Sequence, residues 1–346
     1  MSDLSTRIAG RAGRITLTRP KALNALSPPM SVDLEAALDA WRDDDAVAVV
    51  VIDADGERAF CAGGDIADIY HHGIEGDYDF ARAFWRQEYR MNAKIAHYPK
   101  PVITLMQGFT MGGGVGVGCH ASHRIVGHSV QIAMPECGIG LIPDVGGTFL
   151  LGHAPGALGA YLGLTAARMG PGDAIGAGFA DTLVPEQQWP ELIAELERTG
   201  DPAAIARFAA TPDAQPLIDA LPQIDQHFAH DTPGAIAASL AGDDSDLAQG
   251  ALKAISRNAP LSMACTLQMV RAGRDIDDIT AALAQEYRYT HRALAQGDFL
   301  EGVRAQIIDK DRNPKWAHDG PGAVSGTEVD AMLAPLGADE LNLEGV

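Results

Sequence analysis

Around Gly10-Arg-Ala-Gly13 the chain alternates apolar and polar positions, with Ile8 before the turn and Ile15 and Leu17 after it. That alternation predicts a β-hairpin over residues 7–18. Val32, Leu34, Leu38 and Trp41 then recur at helical spacing, which predicts a helix from a capping Ser31 to about Arg42. Residues 46–52 form a continuous, valine-rich apolar run, as in a strand covered on both faces. The same grammar returns: 101–106 reads as a second buried strand, 112–120 as the start of a helix, 123–126 as a short strand, and 130–134 as a strand running into an acidic segment.

Strand and helix patterns alternate through about residue 190, which predicts an α/β architecture. After Asp201 the signals turn helical, over 246–257, 262–272 and 279–296. A soft boundary therefore falls near residue 200, dividing 1–200 from a largely helical 201–346. Beyond Trp316 the chain is rich in Gly and Pro, with a last weak helix near 328–333.

The 346 residues are 47% hydrophobic and 21% charged, with 38 glycines, a composition that supports a substantial core and excludes a disordered or coiled-coil chain. A formal net charge of −20 disfavours nucleic acid, whose binding depends on neutralising phosphates. It leaves room for a small anionic ligand, because local geometry overrides the overall field at short range. Cys61, Cys119, Cys137 and Cys265 have no CxxC spacing and read as reduced thiols. Neither a signal or transit pattern nor a run long enough to span a bilayer is present, so a cytoplasmic protein without a membrane partner is expected.

Four places carry candidate chemistry. Gly63 and Gly64, in Phe60-Cys-Ala-Gly-Gly-Asp65, let backbone approach a ligand, although a strand-to-helix turn capped by Asp65 is the blander account. The triple glycine Gly112–Gly114 weakens any helix it opens, so either an exposed row of N–H groups or tight packing must require it. It matches neither the dinucleotide fingerprint nor a P-loop. Glu136 and Asp144 stand eight residues apart after the strand at 130–134; either could be a catalytic carboxylate or a helix cap. Glu88 lies on an aromatic-rich helix, where pairing with Arg86 or Arg90 is the simpler reading. There is no G-x-S-x-G elbow, and His71-His72 and Cys119-His120-Ala-Ser-His123 lack the spacing of a zinc site.

In their order, Leu17-Thr-Arg-Pro20-Lys-Ala-Leu-Asn24-Ala-Leu26, the turn at 61–65, the triple glycine and the segment 134–147 resemble the crotonases, the enoyl-CoA hydratase/isomerase superfamily. With Phe299-Leu-Glu-Gly-Val-Arg304 and Ile308-Asp-Lys-Asp-Arg-Asn-Pro-Lys-Trp316, the chain most resembles the 3-hydroxyisobutyryl-CoA hydrolases within it. The resemblance implies a spiral of ββα turns with a helical C-terminal region. It also implies an oxyanion hole from the N–H groups of Ala62 and Gly113, catalytic roles for Glu136 and Asp144, and substrate contacts from Glu88, Gly113, Gly64 and Asp65. No metal and no redox cofactor is implied: coenzyme A is part of the substrate, its phosphates near Arg19 and Lys21. Crotonases usually assemble as trimers or hexamers, so a homo-oligomer is expected. One departure decides between reactions. Hydratases carry a second glutamate two residues after the triple glycine, where this chain has Gly116, and Asp144 stands where they have glycine. The expected activity is hydrolysis of 3-hydroxyisobutyryl-CoA or 3-hydroxypropionyl-CoA, as in valine catabolism; hydration or isomerisation of a short enoyl-CoA is the alternative.

Overall fold

The computed structural model describes residues 3–346. Its strands are β1 (Leu4–Ala9), β2 (Ala12–Leu17), β3 (Val49–Ala54), β4 (Ala59–Cys61), β5 (Val102–Met106), β6 (Phe109–Met111), β7 (His123–Val126), β8 (Gln131–Ala133) and β9 (Thr182–Leu183). They form two sheets, ordered β1-β2-β3-β5-β7-β9 and β4-β6-β8. Among the described strands, β1 and β2 pair antiparallel and every later strand pair is parallel. From β3 to β8, each turn of the chain thus gives one strand to the large sheet and the next to the small sheet before a helix returns it. This is the ββα spiral that the resemblance implied.

The valine run explains how the large sheet is covered. Side chains alternate along a strand, so Val50 and Ile52 enter the main core while Val49 and Val51 enter a second cluster. There they meet Ile103, Leu105, Leu192 and Leu196. A strand buried on both faces cannot show polar alternation, and this one does not.

Helix α1 (Pro28–Trp41) begins earlier than its apolar spacing predicts. Ser27 holds the cap position, with Pro28 and Pro29 pre-set for the first turn. Ser31 is inside the helix, its hydroxyl donating to the Pro28 carbonyl at 2.8 Å. Val32, placed on the apolar stripe from sequence, is half exposed at 50%. Helix α2 (Ala67–Ile74) and the long α3 (Tyr78–Ala96) follow β4, and the short α4 (Gly113–Gly118) follows β6. Helix α5 (Gly147–His153) follows the acidic segment.

Past residue 200 the helices include Asp246–Ile255, Pro260–Ala272, Ile279–Gln296, Phe299–Val303 and Gly326–Leu333. They do not make a core of their own. Leu267, Leu283, Tyr287 and Phe299 share one cluster with Leu34, Phe60 and Met106. Phe299 packs on Trp85 of α3 with ring centroids 5.9 Å apart. A Cβ at Gly302 would stand 2.2 Å from the Ile139 carbonyl oxygen, so the helix that follows Phe299 lies directly on the segment holding Glu136. Because the shared cluster spans both regions, denaturant should unfold them in a single transition. Phe299→Ala, which empties a fully buried site, should cost about 3–5 kcal/mol in urea melts while preserving that single transition.

Candidate active site

The turn after β4 and the start of α4 meet face to face. A Cβ on Gly114 would lie 2.1 Å from the Cys61 carbonyl oxygen, so tight packing requires that glycine. The other two are required by acids. At Gly112, whose φ is +49°, a Cβ would stand 2.6 Å from Glu136 Oε1; at Gly113 it would stand 2.7 Å from Glu88 Oε1 and 3.3 Å from Gly64 N. Close packing thus accounts for all three glycines, and the Gly112 N–H is taken by the Ala133 carbonyl at 3.4 Å. Among the described residues, the N–H groups of Gly64 and Gly113 donate to no backbone or side-chain acceptor.

The N–H of Ala62 is committed elsewhere. It donates to the Leu23 carbonyl at 3.0 Å, which removes it from the oxyanion hole expected from sequence and leaves Gly64 as the amide facing Gly113. Asp65 is also misplaced by that expectation: its carboxylate takes Arg19 Nη2 at 3.0 Å instead of facing the cavity, and it does not cap α2. Arg19 is in turn bound to Asp3, Asp65 and the Ala25 carbonyl, so it is not a free phosphate ligand; Lys21 beside it is exposed.

Glu88, Glu136 and Asp144 converge on a cavity of about 100 Å³ whose walls also include Ala62, Gly64, Ile66, Phe84, Trp85, Gly113 and Leu141. All three acids are buried. Neither Arg neighbour pairs with Glu88: Arg90 binds Glu35, and Arg86 lies over the Tyr287 ring. One oxygen of Glu88 and one of Glu136 have no hydrogen-bond partner. Burial, reinforced by the Asp144 charge, pushes both glutamic acids well above the usual carboxylate range. Asp144 rises less, to about 6, because burial is opposed by the Tyr89 hydroxyl donating to it at 2.7 Å. A larger groove of about 990 Å³ beside the hairpin has only solvent-exposed acids, Asp33 and Asp55, in its wall.

The loop carrying Asp144 is held under constraint. Val145 adopts φ +55°, unfavourable for a β-branched residue, and its carbonyl accepts from His120 Nε2 at 2.8 Å. Burial pushes that imidazole down to about 4, so it is a neutral donor. Glu286, fully buried on the helix Ile279–Gln296, accepts from Gly146 N at 2.8 Å, Thr148 N at 2.9 Å and the Thr148 hydroxyl. It caps α5, so Asp144 is not that cap. Burial pushes Glu286 up to about 8 despite those bonds. Sequence gave no hint of Glu286, which lies 140 positions from Gly146. Tyr89 sat beside Glu88 in the aromatic-rich helix and had a signal, though an ambiguous one.

Position 116 is closed. A Cβ there would stand 2.6 Å from Asn92 Nδ2 and 2.8 Å from Val145 Cβ. Asn92, fully buried on α3 one turn beyond Glu88, fills the volume a side chain at 116 would need. No group of three or more His, Cys, Asp or Glu among the described residues is placed to hold a metal ion. The four cysteines are buried and free, with thiols pushed to about 12 or above by burial. No described helix is long and apolar enough to cross a membrane.

A family model for enoyl-CoA hydratase/isomerase matches residues 12–333. The chain belongs to that family. Its relatives include the mitochondrial 3-hydroxyisobutyryl-CoA hydrolases of Gallus gallus, 36% identical over 99% of this chain and 91% of the relative, and of Xenopus tropicalis, 37% identical over 97% and 89%. Similar solved structures include an enoyl-CoA hydratase from Rhodobacter sphaeroides, 56% identical with a TM-score of 0.94 over 99% of this chain and all of that one. A carnitinyl-CoA dehydratase from Mycobacterium thermoresistibile is 41% identical with a TM-score of 0.95 over the whole of both chains. The relatives' names thus divide between hydrolase and hydratase or dehydratase, and a shared fold does not choose between them.

Two consequences follow for stability. Free Asp and Glu titrate near 3.9 and 4.3, whereas Asp144 and Glu286 in the folded chain titrate near 6 and 8. Between about pH 4 and pH 8 the folded state therefore holds more protons than the unfolded state, and stability falls as pH rises. Asp243 and Glu328, lowered by their hydrogen bonds, act in the opposite sense below that window, and the buried imidazole of His120, lowered to about 4, opposes the trend between about pH 4 and pH 6.5, where it offsets part but not all of what the four raised acids contribute. Thermal unfolding should give a higher Tm near pH 5 than near pH 8, and Glu286→Gln should flatten the upper part of that slope. Separately, Gly116→Glu should overpack the site and cost at least about 1–3 kcal/mol in denaturant melts.

Proposed function

We propose that this chain hydrolyses the thioester of a short 3-hydroxyacyl-CoA to the free acid and CoA, with 3-hydroxyisobutyryl-CoA as the substrate and 3-hydroxypropionyl-CoA as a second, as in valine catabolism. The reaction takes place in the cytoplasm and needs no metal or redox cofactor. One arrangement carries the reading: three buried carboxyls face the amides of Gly64 and Gly113 across a small cavity, while position 116 is closed to a further glutamate. The hydrolase names of relatives at 36% and 37% identity support it.

In this reading the thioester oxygen accepts from the amides of Gly64 and Gly113. Charge gathers on that oxygen as the carbonyl carbon becomes tetrahedral, and such donors are worth about 3–4 kcal/mol each. Glu136 acts in one of two ways. Its carboxylate bonds to the carbonyl carbon, expelling the thiolate and leaving an anhydride that water then opens, or it takes a proton from the water that attacks. Both roles use the ionised carboxylate, and burial, which raises its proton affinity, makes it a stronger base once the proton has left. Glu88, kept neutral by burial, gives its proton to the departing sulfur, and Asp144 accepts from the 3-hydroxyl of the acyl group.

Addition of water to an enoyl-CoA is the second reading, favoured by the names of the two similar solved structures. It calls for a second acid–base group near the double bond, at a place where Asn92 and Val145 leave none. Purified protein with 3-hydroxyisobutyryl-CoA and a thiol dye should release CoA, and Glu136→Gln should slow that release by about 10²–10⁴-fold with Tm preserved. Undiminished release in the variant would overturn the assignment of Glu136. With crotonyl-CoA, loss of the conjugated absorbance faster than CoA release would instead support hydration.

A further inference from the structure

We infer that Tyr89 is a positioning residue that fixes the negative charge of the Asp144–Glu88 pair on Asp144 and so leaves Glu88 as the proton donor. The inference rests on the hydrolase reading for its kinetic consequence, but its structural basis is independent of substrate. Tyr89 and Glu88 are adjacent on α3, and the Tyr89 side chain is fully buried. Its ring stands edge-on to Tyr287 with centroids 6.3 Å apart, which locks where the hydroxyl can lie. From there the O–H donates to Asp144 Oδ2 at 2.7 Å, and Thr290 Oγ1 is 3.4 Å away.

The groups facing Asp144 make this bond decisive. Helix α3 presents Tyr89 and Glu88, the turn after β8 presents Glu136, and the helix Ile279–Gln296 presents Glu286. His120 reaches only the carbonyl of the next residue, Val145, and is neutral. Neither Lys nor Arg is among the groups acting on Asp144 among the described residues. With no cation present, a hydroxyl donor is what favours the ionised form of one acid over another. Asp144 has that donor. Glu88 has an oxygen with no partner at all, and the neighbouring charge further discourages its ionisation. Two carboxyls whose surroundings push them apart in this way divide into an anion and an acid. The phenol itself stays protonated, because burial and Asp144 both oppose its ionisation.

Tyr89→Phe keeps the ring and removes the donor. In the pH profile of kcat/KM for CoA release, the acid-side inflection that belongs to Asp144, which lies below that of Glu136, should move upward by about one to two pH units, the equivalent of losing a hydrogen bond to a charged group. The opposite change comes from 3-fluorotyrosine placed at position 89, a stronger donor of nearly the same shape, which should move that inflection downward. In an Asp144→Asn background, Tyr89→Phe should add little further loss. An inflection that stays in place in both Tyr89 variants, or losses that simply add in the double variant, would overturn the inference. An infrared titration of the protonated-carboxyl band, done without substrate, reads the same shift directly. If wild-type protein releases no CoA from any 3-hydroxyacyl thioester, the hydrolase reading falls, while the infrared comparison of wild type with Tyr89→Phe still decides the role of Tyr89. An unchanged infrared titration would sink it.

Discussion

Removing Glu88, Glu136 and Asp144 from water around one small cavity is the constraint to which most of the local structure answers. Ionised carboxylates without cations are costly in such a place, and the groups take up protons instead. The surrounding chain shows the consequences. Gly112 and Gly113 lack side chains because carboxylate oxygens occupy that space. Val145 is held at a backbone angle it would not choose, so that Asp144 points inward. Glu286 gathers the orphan amides of the next helix, doing from a distant element what a local cap would ordinarily do. The strained Val145 and the unpartnered oxygens of Glu88 and Glu136 persist because a rigid framework over-determines the site from several sides.

That framework explains why the helical C-terminal region is part of the site and not an appendage. The helix Ile279–Gln296 contributes Glu286 and Thr290 to the loop and the hydroxyl network, and Tyr287 to the packing of Tyr89. The short helix after it presses Phe299 against Trp85 and Gly302 against Ile139, both walls of the cavity. A spiral of ββα turns alone would place the glycines and Glu136. It would not hold Asp144.

Elements with strong, local periodicity were legible from sequence. The strand at 123–126 and the helix at 279–296 coincide with their predicted bounds, and the hairpin starts three residues earlier than expected. Helix starts were less legible where proline, not an apolar residue, opens the first turn, as at Pro28 and Pro260. Within the site, Glu88, Glu136, Asp144, Gly64 and Gly113 come together around one cavity as the motifs suggested. The failures share a cause. Which amide in a glycine turn is free depends on where its neighbours' hydrogen bonds go, and Ala62 lost its availability to Leu23, a residue in a separate loop. Asp65 likewise turns toward Arg19 because of a contact 46 positions away. Periodicity and spacing carry no information about such pairings.

Position 116 shows why the family's reactions are hard to separate by fold and easier to separate by volume. A missing glutamate in a sequence is open to two explanations: a simple loss, which a single substitution could reverse, or a rebuilt site. Asn92 and Val145 argue for the second. They sit within 3 Å of where a Cβ at 116 would be, one from α3 and one from the strained loop that aims Asp144. The absence of one acid and the presence of the other are therefore a single structural fact. Moving Val145 aside to admit a glutamate would disturb the backbone that orients Asp144, and relaxing that backbone would release the hydroxyl bond from Tyr89. Close-packed interiors switch between discrete arrangements more readily than they deform between them. On that argument the two acid sets exclude one another in this chain.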